Sequence, residues 1–81
     1  MNAYDCYAAG KKIARQLSET GHKEWSDRIR DAIAYGCTSG EILSNLGWQL
    51  DELRKSGLVM SELLKSEVSV LISQIDEICK G

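Results

Sequence analysis

Leu64, Val68, Leu71, Ile75 and Ile78 recur at spacings of four, three, four and three residues. At about 3.6 residues per turn, that rhythm sets all five along one side of a helix. An apolar stripe of this kind requires a partner helix along its whole length. Two heptads are short for a free-standing coiled coil, so the expected partners are other helices of the same chain. The rest of the sequence can supply them. It contains no proline, and its glycines, Gly10 and Gly47 excepted, fall where helices would stop. The expected fold is all-α: a compact bundle of four short helices at about residues 3–20, 23–35, 38–56 and 61–79, in a single helical domain spanning residues 1–81. Short connections at Gly21-His22, Gly36-Cys37 and Gly57 to Met60 favour antiparallel neighbours.

The first helix turns Cys6, Gly10, Ile13, Ala14 and Leu17 inward, and Gly21 suits the left-handed position that closes its last turn. Gly10, on the inward stripe, marks the close approach of a neighbouring helix. The second helix presents Trp25, Ile29, Ala32 and Ile33 on one face. Thr38-Ser39-Gly40-Glu41 reads as a capping box at the start of the third, whose inward stripe is Ile42, Leu46, Leu50 and Leu53. Leu63 and Val70 form a small apolar patch off the main stripe of the fourth, on either side of Glu67.

The chemistry expected of the chain is limited. Of its 81 residues, 12 are acidic and 10 basic, a net charge of −2. The excess sits in the second half, because residues 1–37 carry +1 and residues 38–81 carry −3. That distribution argues against nucleic acid, whose phosphates are held by clustered cations. Lys11, Lys12 and Arg15, with Tyr4 nearby, could touch anionic groups but read as a solvated helix face. Cys6, Cys37 and Cys79 form no C-x-x-C pair, and His22 is the only histidine, so they read as thiols in a reducing compartment. No metal, cofactor or catalytic constellation is expected, and no nucleotide or zincin motif is present. The adjacent carboxylates Asp51-Glu52 and Asp76-Glu77 point about 100° apart on a helix and share no site. An enzyme is not expected. The N-terminus lacks a basic region followed by an apolar core, and no apolar run approaches the about 20 residues of a membrane span. A cytoplasmic location is expected.

Trp48 is the residue that breaks the pattern. It lies opposite the inward stripe of the third helix, beside Glu41, Ser44, Glu52 and Lys55. Either the third helix is central and Trp48 packs beneath the first or second, or Trp48 meets a partner. On the second reading Glu41, Trp48, Asp51 and Glu52 are the partner-binding residues, an acidic surface with an aromatic anchor. A helix-turn-helix reading is also open. There Gly47 splits the third helix, and Gln49 to Lys55 becomes a DNA-recognition helix. Leu43, where such a motif calls for a small residue, and Asp51 and Glu52, which would face phosphates, count against it.

Size, acidity, the missing signal peptide and the all-helical pattern together resemble bacterial immunity proteins, the partners of bacteriocins and contact-dependent inhibition toxins. The segment RDAIAYGCTSGEIL, Arg30 to Leu43, is similar to a recurring unit of small bacterial helical proteins. The resemblance spans the chain at the level of class, without a motif matched residue by residue. It implies a small cytoplasmic binding protein that neutralises a toxin domain. Independently of the resemblance, an acidic face with an aromatic anchor suits the basic cleft of a nuclease, and a monomer or weak homodimer is expected. A self-associating adaptor that pairs through the fourth helix is the other alternative.

Overall fold

The computed structural model describes residues 5–36 and 38–80 and contains four helices: α1 (Cys6–Glu19), α2 (Lys23–Ala34), α3 (Ser39–Lys55) and α4 (Glu62–Lys80). Local chemistry sets their ends. Asp5 is extended, and its carboxylate accepts the Ala8 N–H at 3.1 Å, so α1 begins at Cys6. The expected start at Ala3, together with Tyr4 and Cys37, lies outside the described residues. At the other end of α1, Gly21 adopts φ +88, a conformation open to glycine and costly for other residues. The Gly21 N–H then donates to the Ser18 carbonyl at 3.2 Å and the His22 N–H to the Leu17 carbonyl at 2.8 Å. These are the two bonds of a Schellman closure. His22 occupies the N-cap of α2 without a side-chain cap bond.

The Thr38 hydroxyl accepts the Glu41 N–H at 3.2 Å and starts α3. The reciprocal bond of the expected capping box, from the Thr38 N–H to the Glu41 carboxylate, involves the peptide that follows Cys37 and falls outside the described residues. Arg54 and Lys55 in the last turn of α3 complement the negative end of its dipole, and Gly57, at φ +77, turns the chain away. The Ser61 hydroxyl accepts the Leu64 N–H at 3.2 Å and opens α4.

Each helix packs on its neighbour in chain order, and α1 closes the ring against α4, giving the expected four-helix bundle. Ile13, Leu17, Ile29, Leu46, Leu50, Leu53, Val68 and Leu71 are fully enclosed. Two expected faces are rotated slightly from their sequence reading, and a third is exposed at its end. Leu43 is buried on α3 while Ile42, at the edge of the arc, is half-buried. On α2 the buried positions are Ser26, Ile29 and Ala32, with Trp25 and Ile33 half-buried at the margins. Ile78, the last member of the α4 stripe, is 51% exposed. Its 19-residue helix runs about 28 Å, whereas α1, with 14 residues, reaches only about 21 Å alongside. Leu63 and Val70 are exposed.

Two glycines inside helices are explained by packing. A Cβ on Gly10 would lie 3.0 Å from Ile33 Cδ1 and 3.2 Å from Leu46 Cδ2, so α1 sits close upon α2 and α3 there. A Cβ on Gly47 would lie 3.2 Å from Ile75 Cγ2 on α4. Gly47 thus serves a helix crossing, and α3 continues through it unbroken. The split that a recognition helix beginning at Gln49 would need is absent.

The α1–α4 seam is closed by Glu67, whose carboxylate takes the Lys12 ammonium at 3.0 Å and the Gln16 amide N–H at 2.7 Å. Partial burial alone pushes this carboxyl up, but the bonds from Lys12 and Gln16 outweigh it and hold the group below the ordinary range. A carboxyl with a lowered folded-state pKa stabilises the fold at neutral pH, and that contribution disappears as the pH falls through the folded value. Because Lys12 is largely exposed, Glu67→Gln is expected to cost only about 0.5–1 kcal/mol at pH 7. The difference from the parent should shrink below about pH 4. Urea denaturation at the two pH values checks both expectations, and a pH-independent cost would remove Glu67 as the cause.

Candidate functional site

Burial of Leu43, Leu46, Leu50 and Leu53 fixes the rotation of α3, and that rotation decides where Trp48 goes. At about 100° per residue, Trp48 points away from all four. It is 57% exposed, and so does not pack beneath α1 or α2. Leaving an indole largely in water forgoes much of the stabilisation its burial would give, about 25 cal/mol per Å² of apolar surface. The core therefore fixes where Trp48 points, while the indole itself adds less to stability than a buried one would.

The indole forms a ridge between two shallow grooves. One has Tyr35, Gly36, Glu41 and Asn45 along its wall, where the end of α2 meets the start of α3. Tyr35 is 79% exposed, so two aromatic side chains border this groove in the open. The other groove lies between α3 and α4, lined by Trp48, Gly47, Asp51, Ile72, Asp76 and Cys79. Gly47 forms part of its floor, where the absence of a side chain lets Ile75 approach. The second tryptophan, Trp25, is half-buried beneath Arg28, whose guanidinium sits 4.1 Å from its ring centroid and donates to the Gln49 amide oxygen.

The four residues expected to bind a partner are distributed around this ridge. Glu41 and Trp48 share the first groove, and Trp48 and Asp51 share the second. Glu52, one turn beyond Trp48, is half-buried and lines neither. Their electrostatic contributions differ. Asp51 is bound at 3.0 Å by both Lys55 and Arg54. The Lys55 hydrogen bond, and then that from Arg54, hold its carboxyl below the usual range. With two cations on its own helix it presents little net negative field. Glu41 has no such pairing among the described residues, and its carboxylate faces solvent beside Trp48.

Tyr35, Ile72, Asp76 and Cys79 extend the site beyond the residues read from α3. Tyr35 was legible in principle, because a connection as short as residues 35–38 holds the end of α2 against the first turn of α3. The α4 members required knowing which helix lies beside α3. Cys6 and Cys79 are free thiols, one buried and one exposed, and burial pushes the Cys6 thiol up. Among the described residues no three His, Cys, Asp or Glu side chains converge as metal ligands would, and no helix is long and apolar enough to cross a membrane. No protein-family model, curated protein or solved structure matches this chain.

Proposed function

We propose that this chain is a small cytoplasmic binding protein that docks a partner protein on the Trp48 ridge, and that it acts as an immunity protein neutralising a bacterial toxin domain of the nuclease type. The observation that carries the proposal is the 57% exposure of Trp48 between two grooves. A tryptophan that contributes little to its own fold is well suited to anchor an interface, since tryptophan is among the residues that dominate binding energy. Shallow grooves on both sides let a partner enclose the indole and exclude water from its edges. Nucleases carry basic clefts to hold phosphate backbones. Glu41 and Asp76 beside the ridge, and Glu52 one turn away, suit such a cleft, whereas Asp51 is already neutralised from within.

Coexpression with a toxin domain encoded directly beside this gene provides the test. The expected result is a stoichiometric complex that survives gel filtration and abolishes cleavage of nucleic acid. A toxin that remains fully active, with the two proteins eluting separately, would overturn the reading.

A further inference from the structure

We propose that a further groove, between α1 and α2, binds an acidic segment of a partner protein through Lys11, Arg15 and Arg30. It belongs to the side of the ring opposite the α3–α4 groove and makes no use of Trp48. Its volume is about 560 Å³, and Ile33 and Ala34 complete its lining. Lys11 and Arg15 stand one turn apart on α1, separated by about 6 Å along the axis. Arg30 faces them from α2. Gly10 makes this convergence possible, since without a side chain it lets Ile33 and α2 come close enough for cations from two helices to line one groove.

What sets these cations apart is that they converge from two helices on one groove while remaining available to a ligand. Lys12 is engaged by Glu67, and Arg54 and Lys55 by Asp51. Lys11 and Arg30 have no ion pair among the described residues. Among the described residues Arg15 pairs with Glu19 alone, at 3.5 Å, with both side chains mostly in solvent, and a pair of that kind exchanges partners at little cost.

The lining discriminates among anions. A bare phosphate would leave the apolar contribution of Ile33 unused. Nucleic acid is held by many cations along its backbone, and three cations on a chain of net charge −2 offer too few. A protein segment with two carboxylates about 6 Å apart and an apolar side chain between them satisfies every part of the groove. That spacing is one turn of a helix or two residues of a strand.

The test is an NMR titration of the full chain with a synthetic helical peptide carrying glutamates at i and i+4 and a leucine between them. Saturable shifts are expected at the amides of Lys11, Arg15, Arg30 and Ile33. Arg30→Glu should weaken the interaction at least about tenfold while leaving the circular dichroism spectrum unchanged. Replacing the peptide's glutamates by glutamine should have the same effect. Should Arg30→Glu fail to fold, Lys11→Glu replaces it. Shifts that do not saturate, or that survive both the charge reversal and the glutamine peptide, would overturn the proposal. So would equal binding of polyphosphate or phosphatidylserine vesicles, which would reveal a non-selective cationic patch.

Discussion

Leu50→Ala is expected to remove about 2–5 kcal/mol of folding free energy, the cost of a cavity at a fully enclosed site. Leu50 is 0% exposed, in the second half of α3, with Leu46 and Leu53 one turn away on either side and equally enclosed. Helix α3 packs on both α2 and α4, so a void there loosens two crossings together. A chain of 81 residues is stabilised by about 4–12 kcal/mol in total. The substitution therefore takes a large share of the whole, and in a domain this small each kcal/mol lowers the melting temperature by about 4–8 °C. Denaturant melts should show the midpoint falling while the slope is unchanged. A cost under about 1 kcal/mol would mean that α3 does not occupy the middle of the core.

The features legible in the sequence are those decided within a few residues. Gly21 closes α1 because two backbone bonds and a positive φ are satisfied over residues 17–22, all of it local chemistry. The outward position of Trp48 follows from helical period alone, once Leu46, Leu50 and Leu53 are known to face the core. The pairing of Asp51 with Arg54 and Lys55 was equally readable, since i+3 and i+4 spacing places both cations beside it. What escaped the sequence depends on how long each neighbour is and which helices meet. Ile78 continues its stripe and is still half in water, at the end of a 19-residue helix that packs on helices of 14 and 17 residues. Gly47 sits in the middle of a helix for the sake of Ile75, nearly thirty residues away. The Trp48 ridge belongs to two grooves only because α2 ends on one side of α3 and α4 lies on the other.

Trp48→Ala should separate folding from binding more sharply than any other single change. Alanine has the higher helix propensity, and the indole is more than half exposed, so stability should change by no more than about 1 kcal/mol. Affinity for a partner docked on the ridge should fall by about 2–4 kcal/mol, roughly 30- to 1,000-fold, as truncation of a central aromatic anchor does. Glu41→Lys should act differently. Its carboxylate stands at the rim of the groove and in solvent, where reversing a charge mainly slows association and changes its dependence on salt. Asp51→Asn should affect association less than Glu41→Lys, because Arg54 and Lys55 already mask the charge that is lost. Calorimetry and stopped-flow measurements on a purified complex read these effects separately. An indole that can be removed without loss of affinity would exclude α3 as the docking element, whatever partner is captured. A melting temperature that collapses with Trp48→Ala would instead return the side chain to the protein's own packing.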